Sequence, residues 1–324
     1  MHKTVKDFSR EFEIFAAVIK KSERFLLVAH KHPDPDTVGA NVALARYLRA
    51  IGKKAEIMCE EEFPDGLKVM LSEKFLKPDE INFASYDVMI GCDSIERTFV
   101  PFLKKNKLNK TVTVTIDHHL DTPQKTDITM IDPSYSSSCE IVYDFLSYTN
   151  AKITRDIATA LLIGILGDTG NLQHANTTTK VIETAEDLMR KGASPGKIVK
   201  NAFANKQLST FHLWGRAIEK AKIVEQNGMI VTALTEEDMK ACKANPDDVK
   251  QVASILVTVP DVKFSLFLFQ IKEGWVKASM RSEEGRGVNV ADIARKFGGG
   301  GHKLASGFEI PGHIIEKNGD WEVV

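Results

Sequence analysis

The apolar positions of the first half fall into two alternating patterns. Short runs of β-branched and other apolar residues at Phe25–Ala29, Ala55–Met58, Asp87–Gly91 and Val112–Ile116 are separated by stretches such as Val38–Ile51 and Cys139–Tyr148, where apolar side chains recur every three or four residues. The runs predict strands, and the longer periodicity predicts helices. Their alternation is that of βαβ units around a parallel sheet. Further helices are expected at Thr154–Leu166 and Thr177–Arg190, the latter opened by the capping-type run Asn176 to Lys180. After Lys191–Lys197 another helix is expected through Phe211–Lys222, and then the pattern changes. From about Gly228 the strand-like runs crowd into adjacent pairs, at Met229–Leu234, Phe264–Ile271 and Trp275–Arg281, with a helix near Asp247–Leu256. The expected fold is α/β: a doubly wound, mostly parallel sheet over residues 1–190, a helical linker over 191–222, and a second, smaller α+β domain over 223–324.

Composition fits this division. A chain of 324 residues exceeds what one core usually organises, and 43% hydrophobic content supplies two. No apolar stretch approaches the roughly 20 residues that span a bilayer. The first fifteen residues mix charges with apolar side chains and lack a secretory h-region, so a cytoplasmic location is expected. Cys59, Cys92, Cys139 and Cys242 are scattered without CxxC spacing and read as reduced core thiols rather than a disulfide framework or zinc knuckle. A net charge of −1 argues against coating long duplex nucleic acid and leaves room for a small phosphorylated substrate in a local pocket.

The chemistry concentrates where apolar elements stop. "HKHPDPDTVGA", His30 to Ala40, follows the first strand and crowds two histidines and two aspartates together. If the segment is extended, Asp34 and Asp36 aim at one place, because side chains two apart share a direction. Pro33 and Pro35 stiffen it and disfavour helix at the residues before them. The plainer reading is a turn or helix cap, with Asp36 capping the next helix. Three other element ends shift the balance: Asp93 in "GCDS", Asp117-His118-His119 in "IDHH", and Asp168 in "GDTG". Capping alone does not explain acids and imidazoles at four such ends. Oxygen-plus-imidazole sets without thiolate suit Mn²⁺ or a similar divalent ion better than structural zinc.

Taken in order, "HKHPDPD", "GCDS", "DHH" and "GDTG" resemble the DHH phosphoesterase family, and "ASMRS" with "FGGGGHKLASGF" is similar to its DHH-associated C-terminal domain. The likeness runs from about Phe25 to Phe308 and is nearest to the nanoRNA phosphodiesterases that also dephosphorylate 3′-phosphoadenosine 5′-phosphate. It implies a metal-dependent hydrolase for short RNA or small nucleotides, with two divalent ions, Mn²⁺ first and Mg²⁺ or Co²⁺ as alternatives. A homodimer is compatible with it, and no membrane partner is expected. By the same resemblance His30, Asp34 and Asp93 hold one ion, and Asp36, Asp93, His118 and Asp168 hold the other. Asp93 would bridge them, Asp117 would orient the histidines from behind, and His119 would face the scissile phosphate. Gly299, Gly300, Gly301, His302 and Arg281 would contact the nucleotide. His32 and Asn171 depart from the family's usual pattern, Asn171 standing where many relatives carry arginine. Two rival readings are a phosphodiesterase for cyclic or linear signalling dinucleotides and a non-catalytic nucleotide sensor. Phe211, His212 and Trp214 are expected to pack on the linker helix.

Overall fold

The computed structural model describes residues 6–94, 98–99, 101, 103, 111–119, 126–204, 207–243, 249, 251–272, 274–317 and 319–324; for residues 65, 202–204, 271, 272 and 302 it describes the backbone only. The chain divides into two compact units, Met1–Asn205 and Lys206–Val324. Among the described residues no helix is long and apolar enough to cross a membrane.

The first unit runs α1 (Ser9–Lys21), β1 (Arg24–Val28), α2 (Pro35–Ala50), β2 (Lys54–Met58), α3 (Asp65–Leu71), β3 (Val88–Cys92), β4 (Val112–Asp117), β5 (Ile128–Ile131), α4 (Ser138–Tyr148), α5 (Arg155–Asp168), α6 (Thr179–Arg190) and α7 (Pro195–Ala204). Its five strands form a sheet of order β2-β1-β3-β4-β5 in which every neighbouring pair is parallel. The unbroken apolar runs have a direct cause. In β1, Phe25 and Leu27 join the main core beneath the helices, while Leu26 and Val28 join a smaller cluster with Met89, Phe99 and Tyr86 on the other face. A strand covered on both sides has no polar face to alternate with.

Helices α1, α3 and α7 and strand β5 were not among the expected elements. Helix α1 has 13 residues and sets Phe12 and Phe15 against Phe145 at 5.7 and 4.7 Å between ring centres. Strand β5 has four residues and pairs on one side only. The helix after the first strand starts at Pro35, with Asp34 as its cap, rather than near Val38 with Asp36 as the cap. Proline is well suited to the first helical position, where its missing N–H is no loss. Asp36 is therefore helical and fully buried, and the alternation of an extended segment does not apply to it.

Helices α2 and α5 cross at unusually close range. A Cβ on Gly39 would lie 2.4 Å from the Ala160 carbonyl oxygen, and one on Gly164 would lie 2.2 Å from Cys139 Sγ and 2.7 Å from Asp36 Oδ1. The crossing thus seats the Asp36 carboxylate as well as the two backbones.

Residues 191–222 are divided between the units: α7 packs on α3 and α5. The second unit contains α8 (Leu208–Glu219), β6 (Lys222–Val224), β7 (Met229–Leu234), α9 (Glu236–Cys242), α10 (Val252–Leu256), β8 (Phe264–Lys272), β9 (Trp275–Ser282), α11 (Val290–Lys296), β10 (Gly300–His302), β11 (Ala305–Pro311), β12 (Ile314–Lys317) and β13 (Asp320–Val323). Its six-stranded sheet has the order β10-β11-β9-β8-β7-β6, antiparallel except between β7 and β8; β12 and β13 form a separate hairpin. Helices α8 and α10 cover one face through Leu213, Val252 and Phe267, and α11 covers the other through Ala294, Met280 and Phe308. Trp214 packs at the first of these cores, whereas Phe211 stays half exposed. Of the helix expected near Asp247–Leu256, residues 247, 248 and 250 lie outside the described residues.

The α2–α5 crossing yields a stability test. Gly39→Ala should gain about 1 kcal/mol of helix propensity but lose more by overpacking against a backbone oxygen, for a net loss of about 1–2 kcal/mol. Urea unfolding should show a lower midpoint with unchanged slope; an unchanged midpoint would mean that the two helices separate freely.

Candidate metal centre

In a parallel sheet of order β2-β1-β3-β4-β5 the connections run in opposite directions from β1 and β3, and a crevice opens beyond the carboxyl ends of those strands. His30 and Asp34 follow β1, Asp93 follows β3, and Asp117, His118 and His119 end and follow β4. Asp36 enters from the first turn of α2, and Asp168 from the last residue of α5. The sequence-predicted residues therefore converge from five elements on one crevice.

Three sets of side chains offer ligand atoms that all lie within 4.8 Å of one another: His30, Asp34 and Asp93; Asp36, His118 and Asp168; and Asp93, His118 and His119. In the first set His30 Nε2 is 3.2 Å from Asp34 Oδ2 and 3.6 Å from Asp93 Oδ2. In the second, His118 Nε2 is 3.0 Å from Asp168 Oδ2 and 3.9 Å from Asp36 Oδ2. Asp93 turns its other oxygen, Oδ1, to His118 at 3.8 Å and to His119 at 3.2 Å. One carboxylate thus shows a different oxygen to each side, from a residue with a left-handed backbone, φ 50°. His30 Nε2 and Asp93 Oδ1 are buried with no hydrogen bond, so the cluster fits a cation better than it fits itself.

Supporting contacts set the direction of each ligand. The His30 Nδ1–H donates to the Lys31 carbonyl at 2.6 Å, which leaves Nε2 facing the carboxylates. Asp34 divides its carboxylate: Oδ1 accepts from the amides of Asp36 and Thr37, capping α2, while Oδ2 faces His30. It is both cap and candidate ligand. The amides of Ser138 and Cys139 donate to Asp36 Oδ2 and Oδ1 at 2.7 and 3.0 Å. The N-terminus of α4 thus faces a carboxylate of the cluster. Asp117 Oδ1 lies 2.7 Å from His119 Nδ1 and accepts the His119 amide at 3.0 Å, orienting that ring.

Burial and mutual charge displace the titrations. Burial disfavours the imidazolium at His30, yet Asp34 and Asp93 overcome it and push the group up to about 10. Burial is likewise outweighed at His118, raised to about 9 chiefly by Asp168, and at His119, raised to about 11 by Asp117 and Asp93. Burial raises Asp168 to about 6, with His118 opposing, and pushes Asp36 well above the carboxylate range with help from Asp168 and Asp93. Asp93 is held well below that range, because His119 and His30 outweigh its burial.

His32 belongs to none of these sets; it is exposed and in a left-handed conformation, with Nδ1 2.6 Å from Glu61 Oε2. Asn171 belongs to a left-handed turn after Asp168, and its side chain is exposed.

In the second unit the register sorts the glycine run. Gly300 pairs with Gly307, His302 with Ala305, and Ala305 with Arg281, so directly paired residues place Arg281, Ala305 and His302 in one row. The His302 side chain lies outside the described residues. A Cβ on Gly299 or Gly301 would meet a β11 carbonyl oxygen at 2.2 or 2.6 Å, whereas one on Gly300 would meet nothing within 4 Å. The flanking glycines let two backbones approach; Gly300 leaves space open. Arg281 Nη1 donates to the Met280 carbonyl at 2.9 Å, and burial alone lowers the guanidinium's pKa. Among the described residues it has no ion-pair partner.

The family model described as DHH family, N-terminal domain, matches residues 24–165, and the DHHA1 domain matches residues 226–320. The chain is 30% identical over 308 residues to the bifunctional oligoribonuclease and PAP phosphatase NrnA of Thermus thermophilus, covering 95% of this chain and 90% of that protein. It is 25% identical over 294 residues to the protein of the same name from Bacillus subtilis, covering 88% and 89%. Among solved structures, an exopolyphosphatase-related protein from Bacteroides fragilis shares the fold with a TM-score of 0.85 at 23% identity, over 93% of this chain and 91% of that one. Exonuclease RecJ bound to manganese shares it more loosely, with a TM-score of 0.51 at 14% identity over 95% and 91%. With both domains matched in order, and a 30% identical relative covered almost end to end, the chain belongs to the DHH family.

Proposed function

We propose that this chain is a two-metal phosphoesterase that hydrolyses short oligoribonucleotides to mononucleotides and 3′-phosphoadenosine 5′-phosphate to AMP. Relatives named bifunctional oligoribonuclease and PAP phosphatase support the substrate class. The observation that carries the two-metal reading is Asp93, whose two oxygens face two different ligand sets. His30, Asp34 and Asp93 would hold one divalent ion; Asp36, Asp93, His118 and Asp168 would hold the other. The absence of thiolate favours Mn²⁺, with Mg²⁺ or Co²⁺ as alternatives.

When bound, such ions lower the pKa of water and neutralise phosphoryl oxygens. The protein's own part is positional. Asp117 fixes the His119 ring by its Nδ1, leaving Nε2 to give a proton to the leaving oxygen as the phosphoester bond breaks. The raised His119 titration keeps that proton in place at neutral pH. His119 is also the most exposed of the three imidazoles, with 25% of its side chain accessible against 10% for His118 and none for His30. Arg281, a partly buried cation with no ion-pair partner among the described residues, would take a nucleotide phosphate.

The substrate reading is tested with Mn²⁺ and end-labelled RNAs of graded length, assayed beside the bisphosphate nucleotide and a cyclic dinucleotide. Release of mononucleotides from the shortest RNAs, and of AMP, is expected; faster turnover of the cyclic dinucleotide would replace this reading. In the same assay Arg281→Ala should lower kcat/KM for short RNA while sparing a small activated phosphodiester. An equal loss on both would assign Arg281 to the chemistry or the fold.

Two substitutions separate ligand from acid. Asp93→Asn should abolish turnover with the fold retained by circular dichroism. His119→Ala should lower kcat by about 10²- to 10⁴-fold with both ions still bound by elemental analysis. Loss of an ion in the second variant would make His119 a ligand.

Metal affinity should also depend on pH. At neutral pH the raised imidazoles carry protons that an entering cation displaces, so affinity rises with pH as Asp168 and His118 deprotonate, near about 6 and about 9. Calorimetric titrations in buffers of different ionisation enthalpy should show proton release; binding that is independent of both pH and buffer would contradict the ligand assignment.

A further inference from the structure

Asp36 and Asp168 belong to one candidate ligand set but reach it from different helices, and a single side chain outside the set joins the backbone of Asp168 to the turn whose amides hold the Asp36 carboxylate. Asn176 Nδ2 donates to the Asp168 carbonyl at 3.3 Å and to the Ser136 carbonyl at 3.2 Å. Both partners accept only, so the amide orientation is determined. The Asp168 carbonyl belongs to the last residue of α5, where helical carbonyls have no partner of their own. The Ser136 carbonyl opens the buried turn whose next amides, those of Ser138 and Cys139, grip the Asp36 carboxylate. Asn176 therefore spans from the residue that presents one carboxylate to the turn that holds the other.

The surrounding loop keeps Asn176 in place. Gly170, Asn171 and Leu172 are successively left-handed, with φ of 56°, 58° and 67°, which folds the chain back sharply after Asp168. The Thr169 carbonyl accepts the amides of both Gln173 and His174, and the Thr177 amide closes on the His174 carbonyl. His174 Nδ1–H donates to the same Asp168 carbonyl at 3.1 Å. A Cβ on Gly170 would lie 2.3 Å from His174 Nε2, so the ring sits directly on that glycine.

We propose that Asn176 is a positioning residue that sets the separation of Asp36 and Asp168, and with it the affinity of the ion held by Asp36, His118 and Asp168. This rests on the two-metal reading above. Residues that hold ligands from behind typically change metal affinity by about 10- to 100-fold when removed. Asn176→Leu keeps the shape of the side chain and removes both donors; Asn176→Asp keeps its shape and polarity and puts an acceptor where the donor stood.

The test is Mn²⁺ titration of metal-free protein, by calorimetry and by the paramagnetic resonance signal of free Mn²⁺, for wild type, both Asn176 variants and Asp34→Asn, with thermal unfolding of each metal-free protein as the check on folding. Wild type is expected to bind two ions. Either Asn176 variant should bind one ion normally and the other about 10- to 100-fold more weakly. The weakened site should be the one that survives in Asp34→Asn. Affinities unchanged in a folded Asn176 variant, or both weakened equally, would overturn the positioning role while leaving the two-metal reading intact. If Asn176→Leu fails to fold, Asn176→Asp decides by the same criterion, and failure of both to fold would make Asn176 a residue of the fold and overturn the proposal. A wild type that binds no Mn²⁺ would overturn the two-metal reading and this proposal together.

Discussion

The first unit is built around a repulsion. Asp34 and Asp93 share one candidate ligand set and Asp36 and Asp168 another, each with its ligand atoms within 4.8 Å of one another, and Asp36 and Asp93 are buried. At an effective dielectric near 20, two such charges 4 Å apart oppose each other by about 4 kcal/mol, so the arrangement persists only if something else holds every member in place. The imidazoles supply part of this, and backbone donors supply another part. Asp34 spends one oxygen on the α2 cap, and Asp36 takes two amides at the start of α4. What remains unbalanced favours a divalent cation. Affinity and strain have one origin here.

The scaffold beside the cluster is closely packed. The α2–α5 crossing has no room for a methyl group at Gly39 or Gly164, and Cys139 fills the remaining space. Such packing is a poor surface for adjustment, which is what a set of like charges requires of its support. The second unit uses its glycines differently: Gly299 and Gly301 bring strands together, and Gly300 leaves a space open.

Much of this was legible from the chain. The βαβ rhythm is strong because the central strands are covered on both faces, and the cluster was recognisable because its acids and imidazoles sit where apolar runs end. The start of α2 was misplaced because Pro35 reads equally as a turn breaker and as a first helical residue; only the Asp34 cap decides between them. Asn176 read simply as the opening of a capping run. Its two carbonyl partners lie 8 and 40 residues away, and no local pattern encodes a contact across such distances. Strand β5 was missed because four residues with one neighbour scarcely differ from a loop.

Helix α5 also acts as a ruler. Gly164, which makes room for Asp36, and Asp168, which joins it in the same ligand set, lie one turn apart on one side of the helix. An α-helix advances about 1.5 Å and turns about 100° per residue, so a single inserted residue between them would swing the carboxylate away from its partners while leaving the helix intact. The interval from Gly164 to Asp168 is therefore a fixed length in this chain, since any change in it would part the Asp168 carboxylate from Asp36 and His118.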